Sequence, residues 1–344
     1  MELTPLLSDK ELLEMLRTIR QSRRILICAH RGPDGDAVGA ALGWADYLHS
    51  LDKSVRIIMP NPFPDFLRWM PGSRGILFYE GRETEATTII GECDLMFLLD
   101  FGQLNRLKEM EPAVAAAKCD RVMIDHHLSP DLSAARLIVS RPSACSTCEL
   151  VFRLIWQLGG YEQMSKGAAA CLYAGMMTDT GGFTYSSNNP EIYLIIGLLL
   201  QKGIDKDKIY RNVYHNYSTH RLRFIGYVLN EKLTFYANNR ASVLSITREE
   251  LKRFHYIRGD AEGLVNMPLQ VKGMRLSISL REDTEREIIR VSLRSVDDFP
   301  CNEMAARFFN GGGHLNASGG ELPFPIEKAI TTAEEAIAAY ADLL

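Results

Sequence analysis

A chain of 344 residues, 46% hydrophobic, 24% charged and 9% aromatic, is long enough for two ordinary domains and is neither disordered nor fibrous in composition. A net charge of −4 gives no global field that would hold long nucleic acid non-specifically, so only a local basic pocket is left for an anionic ligand. Seven scattered cysteines, an odd number, read as reduced thiols in a cytosolic protein.

The opening MELTPLLSDKELLEML carries acidic residues and no basic start before an apolar run, which argues against a signal peptide. Residues 10–20 space their apolar side chains as an amphipathic helix. Arg24–Ala29 (RILICA) is an apolar run of strand type, ending in the turn-rich loop HRGPDGD. Ala37–Leu51 follows as a helix, with Asp36 as its expected cap. Strands are expected at Ser54–Met59, Asp94–Leu99, Arg121–Ile124 and Arg136–Val139. Cys145 and Cys148 form a lone CxxC before ELVFRLIWQL, and without a second cysteine pair they read as helix packing. Helical patterns dominate from Ser146 to about Glu231, and the polar segment DKDKIYRNVYHNY looks like a connecting helix. The most apolar stretch, Ile192–Leu200, is about half the length needed to cross a bilayer, so no membrane contact is expected and the protein is placed in the cytoplasm.

From about Arg240 the rhythm changes to alternating strands, ASVLSI, RLSISLR and EIIRVSLRS, with helices at Glu303–Phe309 and Ile326–Ala339. The expected fold class is α/β: an N-terminal doubly wound, mostly parallel sheet covered on both faces, and a smaller C-terminal α/β domain with a mixed sheet. The expected divisions are a catalytic domain over 1–190, a helical linker over 191–235 and a second domain over 236–344.

The chemistry lies just past the strands of the first domain. His30, Asp34 and Asp36 follow the first strand, Asp100 follows LMFLL, and Asp125-His126-His127 follows RVMI. Asp179 ends the helical stretch GAAACLYAGMM. Parallel strands bring their carboxyl ends to one edge, so these groups can converge although far apart in sequence. Gathered carboxylates repel and raise each other's pKa unless a cation intervenes. A single Asp past a strand is more often a helix cap, and a lone DHH or HxxxDxD is a weak signal; together and in order they point to metal. Mixed carboxylate and imidazole donors suit Mn2+, with Zn2+ or Fe2+ as competitors. About six ligands suit two metals roughly 4 Å apart bridged by a carboxylate, the arrangement for in-line attack on phosphorus. His215, His220 and His255 lie in polar stretches and read as solvated.

In the second domain, Gly311, Gly312 and Gly313 can bring backbone N–H groups close to an anion, or can simply make a tight turn before a strand. His314 follows them, and Arg294 with Ser295 beside it ends the strand EIIRVSLRS, where the guanidinium can grip a phosphate bidentately.

These residues resemble the DHH phosphoesterase family, named for the tripeptide that here is Asp125-His126-His127. HRGPDGDA looks like its first motif, Leu99-Asp100 its second, Thr178-Asp179-Thr180-Gly181 its fourth, and Gly311–Gly319 (GGGHLNASG) the glycine-rich motif of the substrate domain many members carry. The resemblance spans nearly the whole chain. It implies two Mn2+ ions, one held by His30, Asp34 and Asp100, the other by Asp36, Asp100, His126 and Asp179. Asp125 then orients a neighbouring histidine, His127 reaches the scissile phosphate, and a water bridging the metals becomes the nucleophile. It also favours substrate binding by Arg294, Ser295, Gly311–Gly313 and His314.

Two departures stand out: Phe101 where many members have a small polar residue, expected to alter the fit of a base or sugar near the metals, and Ser318 where Ala is usual. A two-domain chain ending in GGGHxxAxG looks most like the NrnA-like bifunctional oligoribonuclease/pAp phosphatase group. That implies short RNA or adenosine 3′,5′-bisphosphate (pAp) as substrate, no long duplex, and a homodimer as a fair assembly. The alternatives are hydrolysis of pApA, the product of cyclic-di-AMP opening, exopolyphosphatase activity, and a non-catalytic nucleotide sensor, against which the complete ligand set argues.

Overall fold

The computed structural model describes residues 3–216, 218–257 and 259–344. The chain forms two compact units that divide after Asn216.

The first unit runs α1 (Asp9–Gln21), β1 (Arg24–Ala29), α2 (Gly35–Ser50), β2 (Ser54–Met59), β3 (Leu77–Phe78), α3 (Glu83–Glu92), β4 (Leu95–Leu99), α4 (Glu111–Ala116), β5 (Asp120–Asp125), β6 (Leu137–Ser140), α5 (Thr147–Gln157), α6 (Lys166–Asp179), α7 (Pro190–Gln201) and α8 (Lys206–Tyr214). Its sheet has the order β3-β2-β1-β4-β5-β6, every pair parallel. Both faces are covered, which is why the central strands read as unbroken apolar runs. On β4, Leu95, Phe97 and Leu99 enter one core while Met96 and Leu98 enter the other. Each such side chain contributes about 1.5–3 kcal/mol by leaving water. Strand order reverses between β1 and β4, so their carboxyl ends flank the crevice where a doubly wound sheet binds its ligand.

The cap of α2 is Asp34 and not the expected Asp36. The Asp34 carboxylate accepts the Asp36 and Ala37 N–H groups at 3.0 Å each, and this leaves Asp36 free to turn inward.

Helix α2 also lies unusually close to α6. Gly35, Gly39 and Gly43 recur every fourth residue and so form one stripe. A Cβ on Gly39 would come within 2.5 Å of the Cys171 carbonyl, and one on Gly35 within 2.3 Å of Thr178 Oγ1. This contact sets the distance between the start of α2, which carries Asp36, and the end of α6, which carries Asp179.

Of the stretch expected as a helical linker, residues 191–235, α7 and α8 pack Ile192, Ile195, Leu199, Ile209 and Val213 into the first unit's core. The following helix, α9 (Thr219–Glu231), buries Phe224, Ile225 and Val228 in the second unit.

The second unit continues with β7 (Leu233–Tyr236), β8 (Ala241–Ile246), α10 (Arg248–Arg253), β9 (Leu276–Glu282), β10 (Ile288–Ser295), α11 (Cys301–Phe308), β11 (Gly312–His314), β12 (Ala317–Pro323) and α12 (Ile326–Ala339). The sheet order is β11-β12-β10-β9-β8-β7, antiparallel except for the parallel β8–β9 pair, and therefore mixed. One face packs Ile278, Leu280, Val291 and Leu293 with residues of α11 and α12. Among the described residues no helix is long and apolar enough to cross a membrane.

The glycine stripe gives a paired expectation for urea unfolding. Gly39→Ala loses about 1–3 kcal/mol, because the added methyl meets backbone. Gly197→Ala in α7, where a Cβ meets nothing, gains about 0.4–1 kcal/mol. Equal effects at the two positions would show that the close α2–α6 contact does not constrain the fold.

Candidate metal centre

The first unit gathers its His and Asp residues at the carboxyl edge of the sheet. His30 leaves β1, Asp100 leaves β4, Asp125 ends β5, and His126 and His127 follow it. Asp34 and Asp36 start α2, and Asp179 ends α6. Asp100 sits at their centre with a left-handed backbone, φ 67°, a conformation Asp tolerates better than most residues. Its N–H donates to the Ile124 carbonyl at 3.0 Å, and its carboxylate is buried.

Among the described residues of the first unit, three groups combine His and Asp atoms within 4.8 Å of one another, and Asp100 belongs to all three. They are His30 with Asp34 and Asp100, Asp36 with Asp100 and His126, and Asp100 with Asp125 and His127. His30 Nε2 lies 3.4 Å from Asp100 Oδ2 and 4.0 Å from Asp34 Oδ2. His126 Nε2 lies 3.4 Å from Asp179 Oδ2, 3.6 Å from Asp100 Oδ1 and 3.9 Å from Asp36 Oδ2. These separations exceed a good N–H···O hydrogen bond, at about 2.7–3.2 Å. They suit two atoms on one cation, since bonds of about 2.1 Å at right angles leave ligands roughly 3 Å apart. The other ring nitrogens face backbone carbonyls, His30 Nδ1 at 3.0 Å from Arg31 O and His126 Nδ1 at 3.3 Å from Ala144 O. Such bonds fix each ring so that Nε2 points at the carboxylates.

Crowding shows in the acidities. Burial, and then the charges of Asp36, Asp34 and Asp125, push the Asp100 carboxyl well above the usual carboxylate range. Burial and the Asp36 charge push Asp179 up as well. Burial also raises Asp125, but the 2.7 Å hydrogen bond to His127 Nδ1 and the histidine charges outweigh it, leaving Asp125 below its ordinary value. The second oxygen of Asp125 is buried with no hydrogen-bond partner among the described residues. Gly102 backs it so closely that a Cβ there would lie 2.9 Å from that oxygen.

Two residues outside the expected set hold the centre in place. Thr147 starts α5; its N–H and that of Cys148 donate to the two oxygens of Asp36 at 2.6 and 2.8 Å, and its hydroxyl donates to Asp100 at 2.9 Å. A carboxylate on a helix N-terminus is favoured by the unpaired N–H groups there. Asn61, fully buried just past β2, accepts the Gly32 N–H at 2.7 Å and pins the HRGPDGD loop. Its placement directly after a strand is the same signal that marked the aspartates. Thr147 was hidden inside the CxxC, whose cysteines are free and buried as expected of helix packing.

Phe101 does not face this centre. Its ring is buried among Leu107, Met110 and Met123 on the other side of the sheet, so the expected effect on a base or sugar is corrected: the side chain fills core. His215, His220 and His255 are exposed.

In the second unit, strand alternation decides which expected residues share a face. Arg294 is half-buried, opposite Ala317, which in turn pairs with His314. Ser295 points to the buried face, where its hydroxyl donates to Phe299 O at 2.8 Å and accepts from Asn316 Nδ2 at 2.9 Å. The structure therefore does not bring Ser295 beside the Arg294 guanidinium. The glycines answer to backbone crowding: a Cβ on Gly311 would lie 1.8 Å from Gly319 O, and Gly313, with φ 143°, has Ala317 O at 2.5 Å. All three glycines are exposed; the Gly311 N–H already donates to Ala305 O, and a Cβ on Gly312 would meet open space. Ser318 donates its hydroxyl to His314 O at 2.8 Å, a bond the usual Ala could not make.

Residues 24–176 match the DHH family N-terminal domain and residues 242–341 the DHHA1 domain. A crystal structure of an exopolyphosphatase-related protein from Bacteroides fragilis is 50% identical, covers 99% of both chains and superposes with a TM-score of 0.94. The chain belongs to the DHH family. It is similar to the bifunctional oligoribonuclease and PAP phosphatase NrnA of Bacillus subtilis, 27% identical over 90% of this chain and 92% of the relative. It is likewise similar to the protein of that name from Thermus thermophilus, 26% identical over 87% and 84%. As a DHH family member it is a phosphoesterase of a metal-dependent class, and its clustered His and Asp residues fit such a cation.

The raised carboxyls link folding to pH and to metal. Without a cation, Asp100 and Asp179 keep protons in the folded chain that the unfolded chain gives up above about pH 4. Their contribution to stability is full below that pH and is lost as pH rises through the raised values. The melting temperature of metal-free protein should therefore fall with rising pH, and adding Mn2+ should reverse the fall and release protons. Calorimetry in buffers of different ionisation enthalpy reads that release. Metal binding with no proton release and no change in the pH trend would contradict the crowding account.

Proposed function

We propose that this chain is a Mn2+-dependent phosphoesterase acting on short oligoribonucleotides, dinucleotides to pentamers, and on pAp. The observation that carries this reading is the sharing of Asp100 among three ligand groups, with His127 in the third. His30, Asp34 and Asp100 would hold one cation, and Asp36, Asp100, His126 and Asp179 the other. The mixed imidazole and carboxylate set supports Mn2+ over Mg2+. Bound divalent cations supply Lewis acidity, lowering the pKa of water and offsetting charge that develops on phosphoryl oxygens.

The chain's own residues do the rest. Asp125 takes the His127 Nδ1 proton into a 2.7 Å hydrogen bond, which leaves Nε2 as the working end of the ring. From there His127 reaches the scissile phosphate. Arg294 and His314 hold the remote phosphate, with the exposed Gly312 beside them. The names of the relatives support short RNA and pAp; that of the Bacteroides structure favours polyphosphate as the second reading. The free cysteines agree with a cytoplasmic setting.

Turnover by the Mn2+-loaded full chain on pAp, pApA, a pentamer RNA, a long RNA and polyphosphate separates these readings. We expect pAp and the pentamer to be consumed fastest. Equal rates on long RNA would remove the short-substrate reading, and consumption of polyphosphate alone would favour the second. His127→Gln should lower kcat by about 10²–10⁴-fold with metal content unchanged. Arg294→Ala should act mainly on KM, roughly tenfold or more, as expected for a lost charge-assisted hydrogen bond.

A further inference from the structure

Two cysteines stand apart from the other five. Cys93 ends α3 just before β4, and Cys119 lies just before β5, so both sit at the amino edge of the sheet, opposite the metal centre. The strands that follow are neighbours, with Leu95 level with Asp120. Their sulfurs are 3.0 Å apart, the Cys93 thiol donating to Cys119 Sγ with Ile90 O, at 3.2 Å, as its other acceptor. Both are half-buried and therefore reachable, whereas Cys28, Cys145, Cys148, Cys171 and Cys301 are buried.

The two thiols are unequal. The hydrogen bond from Cys93 and the Arg121 charge lower the Cys119 pKa, against burial and the Asp120 charge. Cys93 is pushed up by the same bond and by burial. One sulfur is thus set to attack and the other to follow. Closing to a disulfide needs the sulfurs to approach by only about 1 Å, toward a bond of roughly 2.05 Å. Among the described residues neither cysteine belongs to a group of three metal-ligating side chains, and both are free thiols.

We propose that Cys93 and Cys119 form a reversible oxidation site, a dithiol that small-molecule disulfides convert to an intramolecular disulfide. The Cys119 thiolate attacks one sulfur of the small disulfide and expels the other half as a thiolate, which takes up a proton. Cys93 gives its proton to water, attacks Cys119 Sγ and expels the second half. Two protein thiols are oxidised and one small disulfide is reduced to two thiols. The new bond joins the starts of strands that are already paired.

The test is to hold the native full chain in glutathione buffers from fully reduced to fully oxidised, quench with acid, alkylate and map by mass spectrometry. The expected result is a Cys93–Cys119 linked peptide that forms completely in the oxidised buffer and disappears in the reduced one, with the other five cysteines unchanged. C93S should stop at a glutathione adduct on Cys119, and C119S should leave Cys93 alkylatable. Both thiols remaining alkylatable in fully oxidised glutathione, or a wild-type adduct on Cys119 that Cys93 never resolves, would overturn the proposal.

Discussion

The crowding of carboxylates around Asp100 is the constraint from which the rest of the first unit follows. Asp36, Asp100 and Asp125 are buried, with Asp34 and Asp179 at their side. Buried charges of one sign are strongly unfavourable unless each is hydrogen-bonded or paired. The fold meets this residue by residue: the start of α5 donates two N–H groups to Asp36, Thr147 donates a hydroxyl to Asp100, and His127 bonds Asp125. What is left over, in the raised acidities of Asp100 and Asp179 and the orphan oxygen of Asp125, is what a divalent cation removes.

Such a cluster can only be held by rigid elements. Two of its carboxylates, Asp100 and Asp125, sit at the ends of adjacent parallel strands, where backbone hydrogen bonds fix both position and direction. The others come from the start of α2 and the end of α6, and these are kept in register by a stripe of glycines that lets two helix backbones touch. A side chain larger than hydrogen on that stripe would move Asp36 relative to Asp179. Packing far from the chemistry thus controls the ligand spacing.

The second unit solves a different problem. Along β10, β12 and β11 of the mixed sheet, the period of two puts Arg294 and His314 on one face while sending Ser295 to the other. Gly311 and Gly313 permit close backbone contact with Gly319 and Ala317, whereas a side chain at Gly312 would meet open space.

Much of this was legible in the chain itself. Continuous apolar runs such as LMFLL mean strands buried on both sides, and polar residues placed just beyond them mean an occupied sheet edge; this located His30, Asp100 and the Asp125–His127 run. Asp125 was expected to orient a histidine, and in the fold its partner is His127. The sequence could not show that Asp34 rather than Asp36 caps α2, because both are good caps and the choice depends on what the other carboxylate meets across the fold. Thr147 was invisible for the same reason, since its role is contacts to residues distant in the chain, whereas Asn61 carried the same strand-end signal as the aspartates. Phe101 looked like a neighbour of the ligand because it follows Asp100, but its ring packs in the core with Leu107, Met110 and Met123. Sequence by itself thus determined the class of fold and the candidate ligating groups, which depend on local pattern and residue chemistry. Which oxygen meets which donor, and which side chain fills core, was decided only by tertiary structure, because those depend on distances between segments that the chain does not encode locally.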